Sequence, residues 1–164
     1  MEPSSVASEF DLDFELRDTV GHLIRVSQQV HYSLWSKKID DVQLTSPQFA
    51  VLHVLAHEQP LDQRTIGLRS SLDRSTVADI VSRLVRRGLL ESSDDPNDGR
   101  RKRIMLSELG LQIHQSAAVS ALEINESLLF PVSTSERLSL LAILNKIVHF
   151  HENCGDDQAT NRKS

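Results

Sequence analysis

The stretch that decides the fold covers residues 72–110 and reads LDRSTVADIVSRLVRRGLLESSDDPNDGRRKRIMLSELG. Asp73 offers a helix N-cap, and apolar residues then recur at three- and four-residue steps until Gly88, which predicts a basic helix. Residues 95–100 are rich in Asp, Asn, Pro and Gly and predict a turn. This turn separates two short apolar runs, residues 88–91 and 103–106. A basic helix followed by an arginine-tipped hairpin is the layout of a winged helix-turn-helix.

Two shorter helices are predicted before the basic helix. Thr45 or Ser46 can cap the first, which carries a proline in its first turn and ends before Pro60. Asp62 can cap the second, which extends to about Ser70. The second of these helices and the basic helix form the predicted helix-turn-helix.

Longer helices are predicted on both sides of this head. Apolar residues recur at helical spacing over residues 10–38, and again from a cap at Ser107 to an interruption at Pro131. Ser133 and Glu136 form a capping box for the last helix. A helix of about 28 residues spans roughly 40 Å, more than so small a domain needs, so these helices are predicted to pair with those of a second chain in a homodimer. An intramolecular bundle beside the head is the alternative.

The chain has 164 residues, enough for a sizeable core but short for two domains. We therefore interpret residues 9–153 as one mainly α domain with a small β-wing, and residues 1–8 and 155–164 as flexible tails. Within the domain, the predicted dimerisation helices are residues 10–39 and 107–153. The predicted winged helix-turn-helix is residues 45–107.

The distribution of charge favours a nucleic-acid partner, although the formal net charge is -5. Residues 64–103 hold ten Lys and Arg against six Asp and Glu, whereas the rest of the chain holds eight against seventeen. The asymmetry alone fits either a solvated helix face or DNA binding. Because the basic charge coincides with the predicted reading head, it favours double-stranded DNA.

Several other classes of protein are disfavoured by the sequence. No run approaches the roughly 20 apolar residues of a membrane span, and no segment resembles a signal peptide, so we expect a cytoplasmic protein without a membrane partner. The single cysteine, Cys154, cannot form a disulfide within the chain. The sequence lacks a Gly-rich phosphate loop, a nucleophile elbow and a His-Glu-x-x-His motif, so we expect no enzyme activity, cofactor or metal.

Two motifs carry a resemblance to the MarR family of bacterial transcription regulators. One is similar to the family's pattern at the start of its second helix and reads Leu44-Thr45-Ser46-Pro47-Gln48-Phe49. The other is similar to its wing signature and comprises Asp98-x-Arg100, Leu106-Ser107 and Gly110. The resemblance covers roughly residues 16–150 and implies a ligand-responsive, DNA-binding regulator, with repression by promoter occlusion as the default. Gly99 departs from the family pattern, since many relatives carry Arg there.

Two shorter segments resemble the subgroup that controls the breakdown of aromatic acids. They are Asp62-Gln63-x-Thr65 and Asp73-Arg74-Ser75-Thr76. The resemblance implies a small aromatic carboxylate as effector, bound in a cleft between the dimer helices and the reading head. The residues predicted to line this cleft are Ser27, His31, Trp35, Phe49 and His53. Aromatic rings stack on such a ligand and imidazoles bind its carboxylate, although each histidine could equally be an ordinary satisfied side chain.

The predicted DNA contacts come from the start of the basic helix, which enters the major groove, and from the wing, which enters the minor groove. The predicted DNA-binding residues are Arg74, Ser75, Thr76, Asp79, Arg83, Arg100, Arg101 and Lys102. Asp79 has a second interpretation as the partner of an arginine, and Arg86 and Arg87 favour phosphates or acidic partners. The resemblance implies that Asp98 fixes the wing by pairing with an arginine or capping the turn. A symmetric dimer predicts a pseudo-palindromic operator with half-sites about 10 bp apart.

Two alternatives remain open at this point. A metal-responsive regulator is one, because His53 and His57 stand at i and i+4 on one helix, with His22 and His31 on another. A winged-helix module that binds a protein instead of DNA is the other, and the arginines of the basic helix and wing disfavour it.

Overall fold

The computed structural model describes residues 15–39, 43–96 and 98–161. This part of the chain contains six α-helices and one two-stranded antiparallel sheet. The elements are α1 (Val20–Lys38), α2 (Ser46–His57), α3 (Gln63–Ser70), α4 (Arg74–Arg86), β1 (Leu90–Asp95), β2 (Asp98–Leu106), α5 (Glu108–Leu128) and α6 (Thr134–Asn161). None of these described helices is both long and apolar enough to cross a membrane. The predicted class, mainly α with a β-wing, is confirmed.

The first helix begins later than predicted. Thr19 has an extended backbone, and its hydroxyl donates to the carbonyl of Leu16 at 2.8 Å, which closes a separate 3-10 turn over Leu16–Asp18. The helix therefore starts at Val20 and, at 19 residues, spans roughly 28 Å. The predicted start at residue 10 lies outside the described residues. Periodicity alone could not separate the turn from the helix, because Leu16 continues the apolar pattern.

Short polar side chains begin α2, α3 and α4 as predicted. Thr45, not Ser46, caps α2: its hydroxyl accepts from the amide of Gln48 at 3.4 Å, and the Gln48 side chain accepts from the Thr45 amide at 3.0 Å. Asp62 accepts from the Thr65 amide at 2.7 Å and caps α3. Asp73 caps α4. These caps fix where each helix of the head begins.

The head is held by a small apolar core to which α2, α3, α4 and β2 all contribute. Its fully buried side chains are Val51, Leu52, Leu55, Ile66, Val77, Leu84 and Ile104. Gly67 permits the close approach of α3 and α4, since a Cβ there would lie 3.0 Å from the Leu72 carbonyl oxygen. Truncating one of these leucines would cost about 2–5 kcal/mol. The helix-turn-helix is therefore a rigid platform for its exposed side chains.

The wing is longer than the sequence predicted, and it is also attached to the segment before α3. β1 and β2 pair from Leu90–Leu106 to Asp95–Asp98, so most of residues 95–100 lies in strands and the turn at the tip is short. Cross-strand ion pairs hold these polar residues in extended form. Leu61 adds two backbone hydrogen bonds to Ile104, of 3.1 and 2.8 Å, that tie the wing to the segment before α3.

The helices after the wing start where the sequence predicted. The Ser107 hydroxyl accepts from the Gly110 amide at 2.9 Å, and the Ser133 amide donates to the Glu136 carboxylate at 2.9 Å. A Cβ at Gly110 would lie 1.9 Å from the Leu89 carbonyl oxygen, so this position requires glycine.

The last helix extends further than predicted. Its backbone is helical through Asn161, so much of the predicted flexible tail from residue 155 is helix. Residues 155–161 carry no apolar repeat, which explains why periodicity missed this extension. The side chain of Cys154, residues 1–8 and residues 162–164 lie outside the described residues. The described chain divides into two compact units after residue 120, and the assignment of residues 9–153 to one domain stays a prediction.

Candidate functional site

The first turn of α4 presents three of the predicted DNA-binding residues on the surface. Asp73 accepts from the amides of Ser75 and Thr76 at 2.9 Å each, and from both of their hydroxyls at 2.5 Å. The hydroxyls of Ser75 and Thr76, followed by their amides, hold the pKa of the Asp73 carboxyl well below its usual range. Asp73 is therefore a negative, acceptor-only group at the start of α4, beside the exposed Arg74.

Further along α4, Asp79 and Arg83 form an ion pair with each other. The Arg83 Nε lies 2.9 Å from one Asp79 oxygen and 3.1 Å from the other, and both side chains are 57% exposed. This geometry favours the second interpretation of Asp79, as the partner of an arginine. Because an exposed pair contributes at most about 1 kcal/mol, Arg83 can leave it for DNA. Arg87 donates to the backbone carbonyl of Gln43 at 2.8 Å and so connects the end of α4 to the start of α2.

The outer part of the wing, next to its turn, carries paired opposite charges. Arg101 lies 3.4 Å from Asp98, and Lys102 lies 2.6 Å from Asp94. The pairing of Asp98 with an arginine agrees with what the sequence resemblance implied. The side chain of Arg100 lies outside the described residues, so its minor-groove role stays a prediction.

A groove of about 750 Å³ joins α3, the start of α4 and the wing. It brings together three predicted DNA-binding residues, Arg74, Arg101 and Lys102, and adds Arg64. The other residues that line it are Asp62, Gln63, Gly67, Leu68 and Leu72. Arg64 was missed from the sequence, although it belongs to the basic segment 64–103. The groove is a basic channel next to the exposed turn of α4.

A second cluster combines aromatic and imidazole rings from α1, α2 and α5. Trp35 is 6% exposed, and its indole N–H donates to the Leu44 carbonyl at 2.7 Å. Its ring centroid lies 5.8 Å from His31 and 5.4 Å from Phe49. Phe49 in turn lies 5.5 Å from His53. Four of the five predicted effector residues are thus contiguous.

Ser27, the fifth predicted effector residue, does not belong to the ring contacts that define this cluster and is exposed on α1. A cavity of about 690 Å³ opens beside Trp35, at the junction of α1 and α2. Its lining residues are Tyr32, Trp35, Ser36, Ile39, Gln43, Leu44, Thr45, Ser46 and Pro47. Trp35 is the one member of the predicted effector set that lines this cavity.

His114 of α5 completes the cluster and was missed from the sequence. Its ring stacks on Phe49 at 5.6 Å with an interplanar angle of 9°. Its Nε2 lies 3.1 Å from the Nδ1 of His53, whose Nε2 lies 3.2 Å from the Nε2 of His57. His114 follows His53 by 61 residues, so no local pattern could have connected them.

The three histidines form a chain of hydrogen bonds, and the pKa values of two of them, His53 and His114, are lowered. Burial lowers the pKa of His114, and the charges of His53 and His57 lower it further. Burial and then His57 lower the pKa of His53 in the same way. The Nδ1 of His114 is buried and has no hydrogen-bond partner among the described residues. This nitrogen is a vacant polar position within an aromatic cluster.

The described part of the chain contains no complete metal-binding site of the kind that the metal-responsive alternative requires. No group of three or more His, Cys, Asp or Glu residues is arranged there to hold a metal ion. Both ring nitrogens of His53 already contact other imidazoles. His22 lies beside Arg25, with 3.4 Å between the Nδ1 and a guanidinium nitrogen.

Comparison with known proteins identifies the family of this chain. Residues 44–102 match the sequence profile of the MarR family. The HTH-type transcriptional repressor NicR of Pseudomonas putida is 31% identical over 153 residues, which cover 93% of this chain and 96% of NicR. The PcaV transcriptional regulator of Streptomyces coelicolor, solved in complex with its natural ligand, is 42% identical with a TM-score of 0.79. That match covers 83% of this chain and 96% of PcaV.

A further solved relative concerns control by a small molecule. BpsR of Bordetella bronchiseptica, whose DNA binding is regulated by 6-hydroxynicotinic acid, is 28% identical with a TM-score of 0.79. The match covers 82% of this chain and 96% of BpsR. The match to NicR over nearly its full length and the winged helix-turn-helix geometry support the same family. The chain belongs to the MarR family of DNA-binding transcription regulators.

Proposed function

We propose that the protein is a homodimeric repressor that a small aromatic acid releases from a pseudo-palindromic operator. The observation that carries the proposal is the position of α2 between the two sites. One face of α2 supplies Phe49 and His53 to the ring cluster, and another buries Leu52 and Leu55 in the core of the reading head. A ligand that shifts α2 therefore shifts the platform on which α4 lies.

The DNA-binding side of the proposal combines the first turn of α4 with the basic groove. Arg74, Arg101 and Lys102 would bind phosphates or base edges, and Arg64 joins them. Arg83 would exchange its surface partner Asp79 for the operator. Arg100 remains the proposed minor-groove residue.

The effector side rests on the chemistry of the ring cluster. Trp35 and Phe49 offer faces for an aromatic ring, and the imidazoles of His31, His53 and His114 offer hydrogen bonds to an acidic group. An aromatic acid matches both features. A solved relative supports this class of ligand, since 6-hydroxynicotinic acid regulates the DNA binding of BpsR.

Dimerisation is supported by the apolar surface of α6. This helix is 28 residues long, roughly 42 Å, and exposes many large apolar side chains. Those at least 48% exposed are Leu138, Leu141, Ile143, Val148 and Phe150. So large an apolar surface is unusual for a monomer and typical of a subunit interface. Sedimentation as a monomer at micromolar concentration would contradict the dimer.

Fluorescence anisotropy with the DNA upstream of the protein's own gene tests the function. We expect tight binding that weakens steeply with salt, and release by at least one acid from a panel containing benzoate, 4-hydroxybenzoate and 6-hydroxynicotinate. His114→Phe should retain DNA binding but lose release, because it removes the vacant nitrogen and keeps the stacked ring. Ser27→Ala serves as the matched control and should respond like the wild type.

Two results would contradict the proposal in different ways. No salt-sensitive binding to the upstream DNA, or to any sequence selected from random DNA, would remove the repressor function. Tight binding that none of the acids weakens would retain the repressor and remove the aromatic acid. A release that is equal in His114→Phe and wild type would move the effector away from the ring cluster.

A further inference from the structure

In the first turn of α4, Ser75 and Thr76 direct both their amides and their hydroxyls at a single carboxylate. The amide and hydroxyl of Ser75 both donate to Oδ1 of Asp73. The amide of Thr76 donates to the same oxygen, and its hydroxyl donates to Oδ2.

The direction of these hydrogen bonds follows from chemistry alone. An ionised carboxylate has no proton, so the hydroxyls of Ser75 and Thr76 must be the donors. Each hydroxyl has one proton, and that proton is used. What remains on each oxygen toward the outside of the helix is its lone pairs.

We propose that Ser75 and Thr76 read the operator only as hydrogen-bond acceptors, and therefore select bases that place an amino group in the major groove. These are adenine, through N6, and cytosine, through N4. The inference rests on the proposed entry of the first turn of α4 into the major groove. It goes further by naming the atoms that are read and by making Asp73 a positioning residue for specificity.

The same hydrogen bonds make the first turn of α4 unfavourable for binding a phosphate. A helix N-terminus commonly binds a phosphate through its free amides, but here the amides of Ser75 and Thr76 are occupied by Asp73. Acceptor-only hydroxyls and a negative carboxylate both repel a phosphate oxygen. Phosphate contacts therefore fall to the arginines and lysine of the neighbouring groove, and the turn faces base edges.

The consequence for the operator is a strand-specific preference. Every base pair has one major-groove amino group, carried by adenine or cytosine, while guanine and thymine present acceptors there. At the positions that Ser75 and Thr76 contact, the contacted strand should carry A or C. Guanine or thymine would place two acceptors against each other.

Selection of bound sequences from random DNA tests the inference, with variants that assign positions to residues. Ser75→Ala and Thr76→Val each remove one hydroxyl and keep the helix, so the base preference that weakens identifies the position each residue reads. We expect A or C at both positions in the wild type, with on the order of fivefold preference over G or T for one hydrogen bond.

Asp73→Asn is the decisive variant, because asparagine caps a helix as well as aspartate does. Its carbonyl oxygen replaces Oδ1 and keeps the bonds to both amides and to the Ser75 hydroxyl. Its NH₂ group replaces Oδ2 and donates to the Thr76 hydroxyl, which frees the Thr76 proton. The position read by Thr76 should then accept G or T, while the position read by Ser75 keeps its preference.

Glu136→Gln is the matched control, since it also neutralises a capping carboxylate that accepts from a serine hydroxyl, but at the start of α6. It should leave every base preference unchanged. As a measurement without any protein variant, replacing the contacted adenine by purine, which lacks the N6 amino group, should weaken wild-type binding on the order of fivefold.

The outcomes separate this inference from the proposed function. A selected operator with G or T at the positions of Ser75 and Thr76, or an Asp73→Asn protein that keeps the wild-type preference at both, overturns the inference and leaves the repressor intact. Unchanged binding to the purine-substituted operator overturns it as well. A selection that enriches no sequence overturns the DNA-binding function and the inference together.

Discussion

Arg101→Gln should reduce the salt dependence of operator binding by an amount that the structure allows us to estimate. The Arg101 side chain is 66% exposed, lies in the basic groove with Arg74 and Arg64, and contacts Asp98 at 3.4 Å. It is therefore exposed enough to bind one phosphate per protomer, or two in the proposed dimer. Each phosphate contact contributes about 0.9 to the slope of log affinity against log salt, so the slope should fall by about 1.8.

The assay is a set of anisotropy titrations between 50 and 200 mM salt. Over this fourfold range a slope difference of about 1.8 corresponds to roughly a twelvefold change in the ratio of wild-type to variant affinity. Lys146→Ala, which removes a positive charge from α6, controls for net charge and should leave the slope unchanged. A slope for Arg101→Gln within about 0.5 of the wild type would refute the phosphate contact and with it the proposed path of DNA along the groove.

Three further predictions concern stability and the ring cluster. Gly110→Ala should destabilise the fold by about 3 kcal/mol in urea unfolding, because its Cβ would lie 1.9 Å from a backbone oxygen. Gly21→Ala, with open space around it, should not destabilise the fold, and equal effects of the two variants would refute the steric account. Since the pKa of His114 is lowered in the folded state, the free energy of unfolding should fall as the pH drops from about 7 toward 5, and His114→Phe should flatten this dependence. An identical pH profile of stability in the two proteins would contradict this prediction. An aromatic acid should quench the fluorescence of Trp35, the single tryptophan, and Phe49→Leu should lower the affinity measured in this titration about tenfold. An affinity unaffected by the substitution would exclude the ring cluster as the binding site.

The parts of the fold that local chemistry decides could be predicted from the sequence. Asp62, Asp73 and Ser107 cap the helices that follow them, because a short polar side chain reaches the free amides of its own first turn. The turn at Gly88 is equally local, since its φ of +71° favours glycine. These signals located the reading head correctly.

The parts that depend on distant partners could not be predicted. The extension of the wing depends on cross-strand ion pairs, and the hydrogen bonds between Leu61 and Ile104 join residues 43 positions apart. In the candidate effector site, four ring residues were predicted from helical spacing and the family resemblance. His114 was not, because its neighbours His53 and Phe49 come together with it only when α5 packs on α2.

The central claim is that binding of an aromatic acid and binding of the operator weaken each other. Thermodynamic linkage tests this claim most directly. Isothermal titration of 6-hydroxynicotinate into the free dimer and into the operator-bound dimer gives two dissociation constants. The account predicts that the free dimer binds the acid more tightly, by the same factor by which saturating acid weakens operator binding, and that this factor is on the order of 5 to 150. Equal affinity of the acid for the free and operator-bound dimers, or no binding to either, would contradict the account.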